Sequence, residues 1–148
     1  MTVAVRTARP DDYEAIVSVV DEWWGQPLAR MLPRLFLDHF HATSLVAEDD
    51  GALAGFLIGF YSASAPDRAY VHFVGVSPAA RQSGLARRLY ETFFAAAAQD
   101  GATRVSAITS PANTASIAFH RAMGFTVRGP VPDYDGPGAD RVVFERAL

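Results

Sequence analysis

A run of small and basic residues stands at the start of a helical pattern, in the stretch RQSGLARRLYETFF, residues 81–94. The first turn of a helix has unpaired backbone N–H groups and a partial positive charge, so it binds phosphate or pyrophosphate without a metal. Ser83 and Gly84 let the backbone approach such an anion, and Arg81 or Arg87 can add charge-assisted hydrogen bonds. The alternative is that the glycine only eases the turn. The glycine spacing fits neither a nucleoside-triphosphate loop nor a dinucleotide fold.

The composition is that of an ordinary globular chain of 148 residues, 50% of them hydrophobic and 20% charged. This length suits one domain, and we expect residues 1–148 to form it. A net charge of -3 without a concentrated basic run argues against a nucleic-acid partner. The lack of cysteine excludes disulfides, thiolate metal ligands and a cysteine nucleophile. Because neither a signal peptide nor a membrane-spanning run is evident, we expect a cytoplasmic protein without a membrane partner.

Hydrophobic periodicity and turn residues predict the order strand, helix, helix, three strands, helix, strand, helix and two strands. Asp50 and Gly51 stand between two apolar runs and favour a tight hairpin turn. Pro33 interrupts a helical stripe, so we expect the second helix to be broken or to start late. The predicted strands lie within residues 3–8, 44–48, 52–62, 68–78, 103–109, 125–131 and 140–148, and the helices within 9–24, 26–40, 85–99 and 110–124.

Two motifs resemble those of the GNAT superfamily of N-acetyltransferases. VGVSPAARQSGLARRLYETF, residues 74–93, is similar to the family's acetyl-CoA-binding motif, in which a strand ending in Val-x-Pro precedes (Gln/Arg)-x-x-Gly-x-(Gly/Ala). Arg81, Gly84 and Ala86 occupy its defining positions. NTASIAFHRAMGF, residues 113–125, resembles the family's later asparagine, helix and Gly-Phe segment. The resemblance implies an α/β (α+β) fold: a mixed, mostly antiparallel sheet of about seven strands, flanked by four helices, with splayed fourth and fifth strands.

The resemblance also implies a site for acetyl-CoA as the acetyl donor. In that family, backbone groups of the splayed fourth strand bond the pantetheine arm and the acetyl carbonyl, and the amides of the next helix start hold the pyrophosphate. An asparagine on the later loop bonds the pantetheine arm from the other side. Carried over by position, the implied cofactor-binding residues are Val74, Gly75, Val76, Arg81, Gln82, Ser83, Gly84, Leu85, Ala86, Arg87, Asn113, Ser116 and His120.

Three side chains are candidates for the proton transfers of such a reaction. His120 stands where many relatives carry a tyrosine thought to protonate the departing thiolate; an imidazole N–H can also donate, and capping or packing is the alternative. His72 is the leading candidate for the base, because it shares the alternation of Val74 and Val76 on the strand implied to pass the thioester. A hydrogen bond within the sheet is the alternative for His72. Glu22 is the second candidate base, with a solvated helix end as its alternative.

The acceptor pocket of the family is built by the first two helices and by the loop between the last two strands. Aromatic faces beside carboxylates suit a cationic amine. In this chain those regions supply Trp23, Trp24, Phe36, Tyr61 and Tyr134, together with the acids Asp21, Glu22, Asp133, Asp135 and Asp140. Two alternatives stay open, since paired tryptophans are also typical of a core, and Arg30 and Arg34 would favour an acidic acceptor.

These observations predict an acetyl-CoA-dependent N-acetyltransferase that acetylates a primary amine, favouring a small molecule, by direct attack in a ternary complex and without a metal. Two alternatives share the same motifs: a non-catalytic acyl-CoA-binding sensor or interaction module, and a protein or peptide N-acetyltransferase. The histidine in place of the usual tyrosine keeps the non-catalytic alternative open. Either a monomer or a homodimer is compatible with the resemblance.

Overall fold

The chain forms seven β-strands and four α-helices in a computed structural model that describes residues 2–148. The strands are β1 (Val3–Thr7), β2 (Leu45–Asp49), β3 (Ala52–Tyr61), β4 (Arg68–Val76), β5 (Arg104–Thr109), β6 (Thr126–Val131) and β7 (Arg141–Ala147). The α-helices are α1 (Tyr13–Trp24), α2 (Leu35–Phe40), α3 (Leu85–Gln99) and α4 (Thr114–Ala122), and short 3₁₀ helices cover Pro10–Asp12, Ala29–Met31, His41–Thr43 and Pro78–Ala80. The predicted order of strands and helices is confirmed.

Local sequence explains several of these boundaries. Asp50 and Gly51 have φ angles of 51° and 81°, the left-handed pair that a tight hairpin between β2 and β3 requires. Gly25 ends α1 with a φ of 69°, and its N–H donates to the carbonyl of Asp21. Helix α2 begins only after Pro33, which confirms the late start that this proline predicts.

The strands are ordered β1-β2-β3-β4-β5-β7-β6 in one sheet. The β1–β2, β2–β3, β5–β7 and β6–β7 pairs are antiparallel, whereas β4 and β5 are parallel. The parallel register joins Arg68–Tyr70 with Arg104–Ser106, the first three residues of each strand. The expected mixed, mostly antiparallel seven-stranded sheet is thus confirmed, and the splay of β4 from β5 stays a prediction.

Two compact units divide the chain, and the first comprises the residues up to Phe60 together with Val71–Ala96. Its core begins with the stripe Ile16, Val20 and Trp23 on α1, whose spacing places all three on one helix face. These side chains are buried together with Phe56 of β3. The first unit therefore positions α1, α2, most of β4 and the start of α3.

The second unit comprises Tyr61–Tyr70 and Ala97–Leu148. Its buried residues include Val105 of β5, Phe144 of β7 and the polar side chain of His120 on α4. Aromatic rings therefore join α4 to the strands of this unit. Whether residues 1–148 act as a single domain stays a prediction.

Candidate active site

The predicted anion-binding stretch lies in the first unit, between the end of β4 and the start of α3. Gln82 and Gly84 both adopt left-handed backbone, with φ angles of 63° and 84°. A Cβ built on Gly84 would meet no other described atom within 4 Å, so the space beside this residue is open. The first-turn amides of α3, from Leu85 through Arg87, have no acceptor within their own helix. The local geometry is therefore that of a helix start able to take an anion.

The helix start is anchored on its inner side by apolar residues. Leu85, Leu89 and Phe93 of α3 are all buried, at the fourfold spacing that the sequence predicted. Residues 81–84, in contrast, are exposed. The buried residues fix the position of the helix, and the exposed residues before it leave the first-turn amides open to solvent.

The arginines around this helix start have protein partners of their own. The guanidinium of Arg81 donates to the carbonyl of Trp23 at the end of α1. Since a guanidinium has five N–H donors, this bond ties the loop to α1 while using only one of them. Arg87 pairs with Glu91 at 3.6 Å on an exposed helix face. The predicted contacts of Arg81 and Arg87 with a phosphate stay predictions.

The last residues of β4 turn their backbone groups alternately to and from β3. The amide of Ser77 donates to the carbonyl of Ala54 at 2.8 Å. The carbonyl oxygen of Gly75 also faces β3, because it would stand 3.0 Å from a Cβ built on Gly55. Backbone groups alternate along a strand, so those of Val74 and Val76 point away from β3. These two are the positions at which the resemblance implies backbone bonds to the donor.

Gly75 has a packing role that the sequence did not predict. A Cβ at this position would stand 2.5 Å from the Trp24 ring and 2.7 Å from the Phe56 ring, both closer than real contacts allow. The glycine therefore lets two aromatic rings pack directly on the β4 backbone. Only its place in the motif, and not a spacing or periodicity, pointed to this residue in the sequence.

His72 lies on β4, and its ring is held by the residues around the start of α2. Its Nε2 donates to the carbonyl of Met31 at 2.8 Å, and its ring stacks on Phe36 with centroids 4.1 Å apart and planes 5° apart. A carbonyl can only accept, so Nε2 carries the hydrogen and Nδ1 of the neutral ring carries the lone pair. Burial lowers the pKa of His72 from its usual value, against an opposing contribution from the Met31 bond. The ring is thus neutral near neutral pH, as a base must be.

His72 and its neighbour Phe73 both contact helices of the first unit. Along β4, His72, Phe73, Val74 and Val76 are half-buried, while Val71 and Gly75 are buried. The His72 ring lies on Phe36 of α2, and the Phe73 ring packs on Trp24 of α1. The alternation of His72 with Val74 and Val76 stays a prediction.

The two tryptophans of α1 belong to the packing of the first unit. The Trp23 ring is 9% exposed and stacks on Phe56 at 6.0 Å. The Trp24 ring packs on Phe73 of β4 at 4.8 Å. The core alternative that the sequence left open therefore describes Trp23, and Trp24 connects α1 to β4. Glu22, the second candidate base, is exposed on the same helix.

In the second unit, α4 begins at the loop that carries the predicted asparagine. Asn113 caps the helix, because its Oδ1 accepts the amide of Ser116 at 3.2 Å. One turn later, Nδ1 of His120 donates to the Ser116 carbonyl at 2.7 Å. The His120 ring is 6% exposed and stacks on Phe144 at 4.0 Å, next to Phe125. This geometry favours the packing alternative for His120, and burial lowers its pKa.

Two tyrosines of the second unit, Tyr61 and Tyr70, have raised pKa values. The Tyr61 hydroxyl donates to Asp100 at 3.0 Å, and burial, followed by this carboxylate, raises the pKa of Tyr61 to about 12. Burial, with smaller contributions from Tyr134 and Asp135, raises the pKa of Tyr70 to about 12. Tyr134 is 49% exposed. Sequence reasoning missed Tyr70, although its alternation with His72 and Val74 on β4 was a signal for it.

Known sequences place the chain in a family. The pattern of the acetyltransferase (GNAT) family matches residues 5–125. The chain therefore belongs to the acetyltransferase (GNAT) family.

The chain is similar in sequence to two curated acetyltransferases and similar in fold to a solved structure. L-2,4-diaminobutyric acid acetyltransferase from Nocardia farcinica is 37% identical over 60% of this chain and 46% of its own length. The protein of that name from Wolinella succinogenes is 31% identical over 57% of this chain and 50% of its own length. The chain thus spans about half the length of these relatives. In fold it resembles diaminobutyrate acetyltransferase EctA from Paenibacillus lautus, solved with its substrate and coenzyme A, with a TM-score of 0.76, 20% identity and coverage of 97% and 93% of the two chains.

Within residues 2–148, no three His, Cys, Asp or Glu side chains come together as metal ligands. The helices of this same part of the chain include none with the length and apolar character needed to cross a membrane.

Proposed function

We propose that this chain is an acetyl-CoA-dependent N-acetyltransferase that acetylates a primary amine of a small molecule by direct attack in a ternary complex. One observation carries the proposal: the exposed start of α3, where left-handed Gln82 and Gly84 precede amides that have no acceptor in their own helix. Family membership supports acetyl-CoA as the ligand of this helix start, because acetyl-CoA carries a pyrophosphate. The names of the curated relatives make L-2,4-diaminobutyric acid the first acceptor to test.

The described residues fit such a donor. The open space beside Gly84 leaves room for a phosphate against the backbone, and the amides from Gln82 through Ala86 would hold it. The backbone groups of Val74 and Val76, which point away from β3, would bond the pantetheine arm and the acetyl carbonyl. The contacts that the resemblance implies for Asn113, Ser116 and His120 stay predictions.

The reaction also needs an amine without its extra proton. A lysine-like amine with a pKa near 10.4 is mostly protonated at neutral pH, so a base accelerates the attack. When bound, acetyl-CoA supplies the activated acetyl group. His72 fits the role of base, because burial lowers its pKa and so favours the neutral ring, and because it lies on β4, the strand that also carries Val74 and Val76.

We further propose that the enzyme acts in the cytoplasm as a monomer or homodimer, on amines without a nucleic-acid or membrane partner. The negative net charge supports the exclusion of nucleic acid. Light scattering coupled to size-exclusion chromatography distinguishes the two oligomeric states.

The function is tested by measuring free thiol during incubation of the protein with acetyl-CoA and a panel of amines. The panel comprises L-2,4-diaminobutyric acid, other amino acids, polyamines and peptides. We expect acetyl-CoA to raise the melting temperature and thiol to appear with a small amine. Thiol release with peptides alone would favour a protein or peptide acetyltransferase. Stabilisation without thiol release would favour a binding module, and no stabilisation would contradict every acyl-CoA hypothesis.

The position of the donor is tested with Gly84→Glu and a matched control, Gly51→Glu. Both glycines have left-handed backbone and open space, with φ angles of 84° and 81°, so each variant carries the same strain of about 1 kcal/mol and the same added charge. Only Gly84 lies at the helix start. We expect the Kd for acetyl-CoA to rise roughly tenfold or more in Gly84→Glu alone, because like charges at 4 Å repel by about 1–4 kcal/mol. Equal affinities in the two folded variants would contradict the placement.

A further inference from the structure

The ring of His72 is fixed on two sides by a segment far away in the sequence. Its Nε2–H donates to the carbonyl of Met31, 41 residues earlier, at 2.8 Å. Its face lies on the ring of Phe36, with centroids 4.1 Å apart and an interplanar angle of 5°. A hydrogen bond in the ring plane and a stacked ring on its face together restrict both torsions of the histidine side chain.

The carbonyl that accepts this bond is itself held in place from both directions along the chain. Before it, the carboxylate of Asp21 accepts the amides of Leu28 and Ala29, each at 2.8 Å. After it, the hydroxyl of Tyr13 donates to the carbonyl of Leu32 at 3.1 Å, and the Leu32 side chain is fully buried. The acceptor for Nε2 is therefore part of a supported structure and not of a free loop.

Arg34, a charged side chain of the same segment, has partners of its own. It pairs with Glu14 at 3.3 Å and with Asp38 at 3.4 Å, and its guanidinium lies over the Tyr13 ring at 5.5 Å. The contacts that fix the His72 ring are the Met31 carbonyl and the Phe36 ring.

We propose that the Met31 carbonyl and the Phe36 ring are positioning groups that hold His72 in the Nε2–H tautomer and make Nδ1 the proton acceptor in acetyl transfer. The proposal rests on the proposed function. In the step concerned, the amine nitrogen forms its bond to the acetyl carbon and the carbon–sulfur bond breaks. The proton lost by the amine goes to Nδ1, and the sulfur leaves with the electron pair as a thiolate. The net charge is conserved, because the imidazolium and the thiolate form together.

The tautomer is measured directly by a long-range ¹H–¹⁵N spectrum of the histidine rings, at a pH where His72 is neutral. The His72 signals are assigned by their loss in His72→Gln. We expect the hydrogen on Nε2 and a non-protonated Nδ1. A hydrogen on Nδ1 in the wild-type protein would overturn the proposal whether or not an acceptor amine is known.

The positioning role is measured with Phe36→Leu, Phe36→Tyr and the control Phe40→Leu. Phe40 lies on the same helix, with its ring packed on Phe60 at 5.0 Å and on Phe36 at 5.8 Å, so its variant measures the effect of losing an aromatic ring beside Phe36. We expect kcat in Phe36→Leu to fall roughly tenfold to a hundredfold, as small misplacements of a catalytic group do, with a smaller change in KM. Phe36→Tyr keeps the stacked face and should restore most of kcat.

The outcomes of this series separate the two proposals. If Phe36→Leu and Phe36→Tyr are folded and lose kcat equally, the stacked ring of Phe36 has no positioning role, while acetyl transfer stands. If Phe36→Leu raises KM alone, Phe36 contacts the acceptor and does not position the base. If no amine is acetylated, the proposed function fails, and the catalytic part of this inference fails with it.

Discussion

His72 and His120 have nearly the same aromatic surroundings, although we propose a catalytic role for His72 alone. Each ring lies flat on a phenylalanine, Phe36 at 4.1 Å and Phe144 at 4.0 Å, with interplanar angles of 5° and 6°. Each donates one N–H to a backbone carbonyl, and burial lowers the pKa of both. Residue type, stacking and pKa direction therefore do not distinguish the histidine that we propose as the base from the one in the packed core.

The two histidines differ in which ring nitrogen donates the hydrogen bond and in which element accepts it. His120 donates through Nδ1 to Ser116, one turn earlier in its own helix, and is 6% exposed. His72 donates through Nε2 to Met31, which lies on a different element, and is half-buried. A bond within one helix supports packing of that helix. A bond between two elements fixes one ring nitrogen of His72, and the other nitrogen, Nδ1, is the one that we propose as the proton acceptor.

The largest expected effect is that of His72→Gln on turnover. A glutamine amide can still donate to the Met31 carbonyl, but it has no basic lone pair. We expect kcat to fall by roughly 10²–10⁴-fold, the usual contribution of a general base. Steady-state kinetics at saturating acetyl-CoA measures this loss, and a folded variant with wild-type kcat would remove His72 from the mechanism.

For His120→Ala, we expect a loss of stability instead. Removing a buried aromatic ring costs about 3–5 kcal/mol in well-packed cores, and somewhat less where the surroundings relax. Urea denaturation measures the loss, with His72→Ala, at a half-buried site, as the control that should lose less. The kcat of His120→Ala is then measured at a temperature where the variant is folded. A fall as large as that expected for a lost general acid would mean that His120 is catalytic.

The pH dependence of stability gives a second test of His120. Its pKa in the folded state is lowered from 6.5 by burial, so the stabilisation of the neutral ring is fully present above pH 6.5 and is lost as the pH falls through the lowered value. We expect the difference in unfolding free energy between wild type and His120→Ala to shrink with falling pH. A difference that stays constant in this range would mean that the ring is not buried in solution.

The pH dependence of activity tests His72 with a smaller effect. Protonated imidazole cannot accept a proton, so kcat/KM should fall by about tenfold per pH unit below the pKa of His72. Burial places this pKa below 6.5. The ratio of wild-type to His72→Gln activity removes the ionisation of the acceptor amine from the comparison. An acid limb that is unchanged in the variant would assign it to another group.

The smallest effect is expected at Asp21, which supports the segment carrying the Met31 carbonyl. Asp21→Ala removes the acceptor of two amides and should lower the unfolding free energy by about 0.5–1.5 kcal/mol. We also expect a small loss of kcat, because the Met31 carbonyl becomes less fixed. Asp21→Asn keeps an oxygen acceptor, so its kcat and unfolding free energy should lie between those of wild type and Asp21→Ala. Equal kcat in all three proteins would show that Asp21 stabilises this segment without affecting catalysis.

Features that depend on a few neighbouring residues were predictable from the sequence. The Asp50-Gly51 hairpin, the start of α2 after Pro33 and the end of α4 before Gly124 each follow from local backbone preferences. The small residues before α3 likewise indicated a helix start with an approachable backbone.

The sequence could not show contacts between distant residues. Nothing local to His72 indicates that its ring bonds a carbonyl 41 positions away. The close approach of Trp24 to Gly75 and the burial of His120 against Phe144 likewise depend on how helices meet strands. Aromatic residues near a motif therefore fit a core or an acceptor pocket equally well until the packing is known.

The central claim, acetyl transfer to a small amine from a donor held at the start of α3, is tested most directly by product stoichiometry. Wild-type protein, acetyl-CoA and L-2,4-diaminobutyric acid are incubated together, and free thiol and N-acetylated amine are quantified in the same samples. We expect the two products in equal amounts, formed much more slowly by Gly84→Glu at the same donor concentration and at the wild-type rate by Gly51→Glu. Thiol without acetylated amine, or equal rates in the two variants, would contradict the account.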